Sequence, residues 1–128
     1  MSMWMPTIEQ VLIIHDRLIA LTGGAFGIRY IHLIESAIAR ANAGYGGVEA
    51  HPGLLAKAAA ICCGLTQNHG FVDGNKRIGI TTMLMILRQN GVKLAYSQEE
   101  LIQLGLSIAQ DTMNVPEVEE WLRTHAAE

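Results

Sequence analysis

The residues able to do chemistry crowd into one short stretch, HGFVDGNKR, from His69 to Arg77. It carries an imidazole, a carboxylate, two glycines, an amide and two adjacent cations, and apolar segments flank it on both sides. A histidine takes or gives a proton near neutral pH, which suits His69 to general base work. The carboxylate of Asp73 offers the hard oxygen ligands that magnesium prefers, and magnesium commonly bridges protein to phosphate. A helix that opens at Gly74-Asn75 presents unpaired backbone N–H groups and a partial positive charge, which attract phosphate. Gly74 lets an anion come close to the backbone. Lys76 and Arg77 add two full charges in the first turn, where cations oppose the helix dipole by roughly a few tenths of a kcal/mol each. A bound polyphosphate reverses that penalty. Base, metal ligand and phosphate cradle on one loop point to phosphoryl or nucleotidyl transfer.

Each residue also has a structural reading. Asp73 can cap the following helix, and His69 can cap the preceding one or bond a backbone group. Lys76 and Arg77 can be solvated surface charges, and Phe71 a core plug that anchors the loop. The conjunction of all of them on one loop is what favours chemistry. The stretch is not a P-loop, which needs four residues between its glycines and then Gly-Lys followed by Ser or Thr. Here three residues separate Gly70 from Gly74, and Asn75 separates Gly74 from Lys76. A zinc site is poorly supported, because His69 and Asp73 supply two ligands and the adjacent Cys62-Cys63 lack metal-ligand spacing.

The elements that must position this loop read as helices. Thr7 caps a first helix with Ile8, Val11, Leu12, Leu18 and Leu21 on one side, and Gly23-Gly24 stops it. A second runs from about Ile31 to Asn42. The stretch AGYGGVEAHPG, from Ala43 to Gly53, is a loop rich in glycine. A third helix fits Leu54 to Asn68 and a fourth Asn75 to about Asn90, both apolar on most faces and so packed on several sides. Two more are expected near Ser97 to Gln110, opened by a capping box, and Pro116 to Ala126. No strand pair is expected beyond a short extended piece at Val92 to Tyr96. The fold class is all-α: a bundle of about six helices in one domain, residues 1–128, with the polar loop between its two central helices.

Bulk properties agree. A chain of 128 residues, half of them apolar and 16% charged, buries a core without staples. A net charge of −3 gives no global attraction to nucleic acid or to acidic membranes, so any anion site is local. No helix carries a basic recognition face for DNA. Cys62 and Cys63 lie in the apolar run AKAAAICCGL and read as small buried hydrophobes, as in a reducing compartment. No signal peptide or membrane span is expected, and the cytoplasm is the expected location.

His69, Phe71, Asp73, Gly74, Asn75, Lys76 and Arg77 fill, in order, the signature of the Fic/Doc family: His, any residue, Phe, any residue, an acidic or amide residue, Gly or Ala, Asn, Gly or Lys, Arg. LTGGAFGIR, LIESAIAR and the Tyr45-Gly46-Gly47 loop extend the resemblance towards the Doc-like (death-on-curing) toxins of toxin–antitoxin modules. That resemblance implies an all-α fold. It assigns removal of a proton from a target hydroxyl to His69, magnesium binding to Asp73 and nucleotide phosphate contacts to Gly74, Asn75 and Arg77. It implies a loop around Tyr45, Gly46 and Gly47 where a target segment pairs with the protein, although these glycines are equally explained as turn-formers. Gly70 stands where a Pro or bulkier residue is common, which implies a more mobile loop.

Two positions separate the branches of the family. AMP-transferring members carry a Gly where this chain has Lys76, and a second Arg where it has Ile80. The resemblance therefore implies transfer of the γ-phosphate of ATP to a threonine of a translation factor, elongation factor Tu, with arrest of translation. The alternatives are an AMP-transferring enzyme and an inactive helical binding module. Many relatives carry an inhibitory helix with Ser or Thr, three residues, Glu, then Gly or Asn. Only Thr124 to Glu128 matches its first part, so inhibition is expected in trans, from an antitoxin helix lying in a groove beside the active site.

Overall fold

The computed structural model describes residues 3–127, without the side chain of Tyr45. Among them are six α-helices: α1 (Ile8–Thr22), α2 (Ile31–Ala39), α3 (Leu54–Asn68), α4 (Asn75–Gln89), α5 (Gln98–Ala109) and α6 (Val115–His125). The all-α class expected from the sequence is the class observed. Local chemistry explains where the helices begin. Thr7, Ser97 and Asn114 each accept a hydrogen bond from the third helical N–H, and Gln10, Glu100 and Glu117 reach back to the cap residue's own N–H. These reciprocal bonds satisfy donors that a bare helix start leaves open. Gly23 ends α1 at φ 90°, a conformation that glycine adopts without strain.

α3 is the centre of the bundle. It packs against α2, α4, α5 and α6, and every residue from Ala56 through Thr66 is buried. A helix surrounded on all sides needs small side chains, and this one is rich in Ala, Cys and Gly. A Cβ on Gly64 would lie 3.0 Å from the Ala37 Cα, so glycine there sets the approach of α2. A Cβ on Gly79 would lie 2.8 Å from the Cys62 carbonyl oxygen, which does the same for α4. Cys62 and Cys63 are free and buried, as expected, and burial pushes the Cys63 thiol up to about 11.

Three expectations need correction. Leu21 does not join the packed side of α1 but is 83% exposed, one residue before the helix ends. The second helix stays α-helical only to Ala39 and tightens into a 3₁₀ turn over Arg40–Asn42. Two very short antiparallel pairs also occur. β1 (Gly44–Tyr45) pairs with β2 (Val48–Glu49), and Gly46 and Gly47 turn between them at φ 61° and 81°. Such a two-residue turn with both φ positive is the one that best fits hairpin twist. β3 (Lys93–Leu94), inside the expected extended piece, pairs with β4 (Ala126–Ala127). No helix among the described residues is long and apolar enough to cross a membrane. Glu128, the end of the partial inhibitory match, lies outside the described residues.

Candidate active site

The loop between α3 and α4 is held mainly through its backbone. His69 ends α3 in the left-handed region, φ 53° and ψ 45°, and this reverses the chain out of the helix. Gly70 follows, and its carbonyl oxygen accepts from the N–H groups of Arg29 and Tyr30 at 2.7 and 2.9 Å. The Val72 N–H donates to the Gly27 carbonyl at 3.1 Å, and Ile28 and Phe71 form an antiparallel bridge. Backbone hydrogen bonds thus tie the loop at Gly70 and Val72 to the segment before α2. A Cβ on Gly70 would sit 3.2 Å from both the Ile34 nitrogen and the Tyr30 oxygen, so glycine is what lets the loop seat.

Phe71 is the core plug expected, 2% exposed. It stacks on the buried ring of His15, with ring centres 3.7 Å apart and planes 10° apart. Burial of an aromatic of this size contributes about 2–3 kcal/mol to holding the loop. The other side of His15 was not foreseen. Its Nε2 lies 2.7 Å from the carbonyl oxygen of Asp73, so a residue of α1 reaches the motif backbone directly.

Asp73 does not cap α4 with its side chain. Its Oδ2 accepts from the Ala25 N–H at 3.0 Å and its Oδ1 from the Gly74 N–H at 2.8 Å. These two donors, with the Arg77 guanidinium 3.7 Å away, hold its carboxyl below the usual carboxylate range. Gly24 makes the arrangement possible, since a Cβ there would meet Asp73 Oδ2 at 2.5 Å. Gly24 thus does more than end a helix.

The side chains of Asn75 and Arg77 make bonds within the protein. The Asn75 amide closes the loop on itself: Oδ1 accepts from the Phe71 N–H at 3.0 Å, and Nδ2 donates to the Phe71 carbonyl at 3.1 Å. That leaves its backbone, not its amide, to face a ligand. Arg77 folds back onto the end of α1, donating to the Gly23 carbonyl at 2.6 Å and to the Thr22 hydroxyl. A cation there complements the negative end of α1, which explains why its position early in α4 is tolerated. Lys76 is exposed, and its stem crosses α5 at Gly105, where a Cβ would lie 3.3 Å from the Lys76 Cδ.

The loop borders a cleft of about 250 Å³, lined by His69, Val72 and Asp73 through Arg77 together with Thr66 of α3 and Ala109 of α5. Gly74 stands at its rim in the left-handed region, φ 78°, and no side chain caps the helix that follows. Helical geometry leaves the first N–H groups of α4 without partners inside the helix. The cleft thus joins an uncapped helix start, an ionised carboxylate and an imidazole that makes no hydrogen bond to the described residues. Asp73 fits a magnesium ion of the kind held by one or two carboxylates, substrate phosphate oxygens and water. No cluster of three His, Cys, Asp or Glu side chains occurs among the described residues, so any such ion would take most of its ligands from the nucleotide.

Among the described residues, none of the cleft lining comes from the β1–β2 hairpin. Gly46 and Gly47 are exposed at its tip, and the side chain of Tyr45 lies outside what is described. Sequence reasoning also missed His15, Gly24, Thr22 and Gly105. Each looks ordinary in the chain and gains its role only from packing.

Comparison with known proteins agrees with this site. The family model described as Fic/DOC matches residues 6–87, which span α1 through α4 and include the whole motif. Toxin Doc of Mycolicibacterium smegmatis is 39% identical over 92 residues, covering 72% of this chain and 66% of the relative. Protein kinase doc of Escherichia phage P1 is 30% identical over 115 residues, covering 90% of each. A motif seated between two central helices, a match over α1 to α4 and these relatives lead to one conclusion: the chain belongs to the Fic/Doc family.

Proposed function

We propose that this chain is the toxin of a toxin–antitoxin module, and that residues 1–128 act as one Fic/Doc domain that transfers the γ-phosphate of ATP to a protein hydroxyl in the cytoplasm. The acceptor is a threonine of a translation factor, elongation factor Tu, and its modification arrests translation. The observation that carries this reading is the uncapped start of α4 at Gly74, facing a cleft that His69 also lines. The printed names of the two relatives, a toxin and a protein kinase, support the same direction.

The geometry supports the following roles. The backbone N–H groups of Asn75, Lys76 and Arg77 bind phosphate oxygens at the positive end of α4. Asp73, ionised, would hold magnesium, which would supply charge screening to the phosphates. Phe71 and the Asn75 amide fix the loop on which these groups sit. His69 accepts the hydroxyl proton of the acceptor threonine. The threonine oxygen then bonds to the γ-phosphorus, the bond from that phosphorus to the β–γ bridging oxygen breaks, and ADP leaves with its electron pair. Lys76, braced across Gly105, fills space and adds charge where the α-phosphate of an AMP donor would sit, so ATP enters with its γ-phosphate towards the acceptor. Ile80, in place of a second Arg, favours the same orientation. The hairpin at Tyr45, Gly46 and Gly47 offers an edge for the target segment. An antitoxin helix inhibits in trans from a groove beside the cleft.

The test is incubation with elongation factor Tu and ATP labelled at either the γ or the α phosphorus. Label retained from the γ position supports phosphoryl transfer. Label retained from the α position means AMP transfer, and retention from neither points to an inactive binding module.

A further inference from the structure

We infer that His15 is a positioning residue for the site: it fixes the Asp73–Gly74 peptide, and with it the tilt of the first turn of α4 and the pairing of the Gly74 N–H with the Asp73 carboxylate. The inference rests on the phosphate-binding role proposed for the start of α4, and adds a residue outside the motif. His15 is 1% exposed and sits in the middle of α1. A carbonyl oxygen only accepts, so the ring nitrogen 2.7 Å from the Asp73 oxygen carries a hydrogen, and His15 Nε2–H donates to it. The peptide unit is planar and trans, so the Asp73 C=O and the Gly74 N–H point in opposite directions. Drawing the carbonyl inward to His15 therefore turns the N–H outward, where Asp73 Oδ1 takes it at 2.8 Å.

The same peptide opens α4, so its tilt sets where the next three N–H groups aim. The ring is itself fixed on two sides. It stacks on Phe71 at 3.7 Å, and its Nε2 lies 3.3 Å from where a Gly74 Cβ would be, which keeps Gly74 free of a side chain. Its other ring nitrogen lies 3.8 Å from the exposed carboxylate of Asp16, too far for a hydrogen bond, so the Asp73 carbonyl is the partner that matters. A buried histidine whose close polar contact is the backbone of the proposed metal ligand is a costly way to fill a core position, where an aliphatic residue would pack without a polar group.

Three variants separate positioning from packing. His15→Phe and His15→Leu remove the donor, the first keeping an aromatic ring on Phe71. His15→Gln restores an N–H donor the same number of bonds from Cα as Nε2, without the ring. Magnesium–ATP binding is measured by calorimetry on folded protein, with thermal melting as the fold control. The donor-free variant that folds should bind about tenfold more weakly, and His15→Gln should recover most of that loss. A purely structural role would lower melting in all variants and leave the affinity of the folded fraction unchanged; that result overturns the inference. The Gly74 amide resonance in a ¹⁵N–¹H spectrum is read without nucleotide. It should move in the donor-free variant and return towards its wild-type position in His15→Gln; an unmoved resonance also overturns the inference. If the wild type binds no magnesium–ATP, the phosphate-binding role fails, and the amide resonance alone decides whether His15 sets the peptide.

Discussion

Two glycine-rich loops join helices in this chain, and they are built in opposite ways. The motif loop from His69 to Gly74 is held from α1, from the segment Gly24 to Tyr30, and by the amide of Asn75, which follows it. The hairpin from Gly44 to Glu49 is exposed and paired mainly with itself. Its chief tether to the core is Lys57, 5% exposed, whose Nζ donates to the Ala41 and His51 carbonyls and to Glu49 Oε1, all within 3.0 Å. Both loops use glycines at positive φ. In the motif loop the glycine makes room for another group, since a Cβ on Gly74 would lie 3.3 Å from His15 Nε2. In the hairpin a Cβ on Gly46 or Gly47 would meet nothing within 4 Å, so glycine there serves the turn alone. A rigid loop suits chemistry that needs fixed geometry, and an exposed hairpin suits contact with a partner.

Substitutions should expose this difference. His69→Ala has the largest effect: loss of a general base lowers transfer by about 10²–10⁴-fold. Its imidazole makes no hydrogen bond to the described residues, so urea denaturation should show a stability change under about 1 kcal/mol. Expressed alone in a bacterium, the wild type should stop growth and His69→Ala should not. Asn75→Ala should reduce both activity and stability, since it leaves the Phe71 N–H and carbonyl without their side-chain partners at a cost of about 2–3 kcal/mol. Equal stability of Asn75→Ala and wild type would show that the motif loop is no better fixed than the hairpin. Gly47→Ala is milder. Strain at φ 81° costs about 1 kcal/mol, and magnesium–ATP binding stays at the wild-type value.

The smallest effect is a reference outside both loops. His125 Nε2 lies 2.7 Å from Glu100 Oε2, tying the end of α6 to the start of α5. The Glu100 carboxylate raises the His125 pKa above 6.5, and the Ser97 N–H and His125 lower that of Glu100 below 4.5. The His125 contribution is complete below pH 6.5 and is lost as pH rises through the raised value. The Glu100 contribution is present above pH 4.5 and is lost as pH falls through the lowered one. Stability should therefore crest between these values, and His125→Gln should flatten the decline on the alkaline side. Melting curves across pH 4 to 9 measure it (roughly the span in which these two groups titrate).

The sequence made the helices legible because their signals are local. Capping residues at Thr7 and Ser97, the proline at Pro116, small residues along α3 and the glycine stop at Gly23 act within a turn or two of the chain. The motif was legible too, because its residues are contiguous. What the sequence could not show are contacts made across the fold. His15 reads as one of several polar residues on α1, and its bond to Asp73 spans 58 positions. Arg77 reads as a free cation until the end of α1 is brought beside it. Asn75 reads as a ligand contact, although its amide serves the loop. Lys57 is hidden in an alanine run and becomes notable only when buried against three oxygens.

The central claim is that phosphate binds at the uncapped start of α4. The most direct test is a ¹⁵N–¹H titration of the protein with magnesium–ATP. The largest amide shifts should fall on Gly74, Asn75, Lys76 and Arg77, with the hairpin at Gly46 and Gly47 unmoved. Shifts confined to other parts of the molecule, or none at saturating nucleotide, would contradict the account.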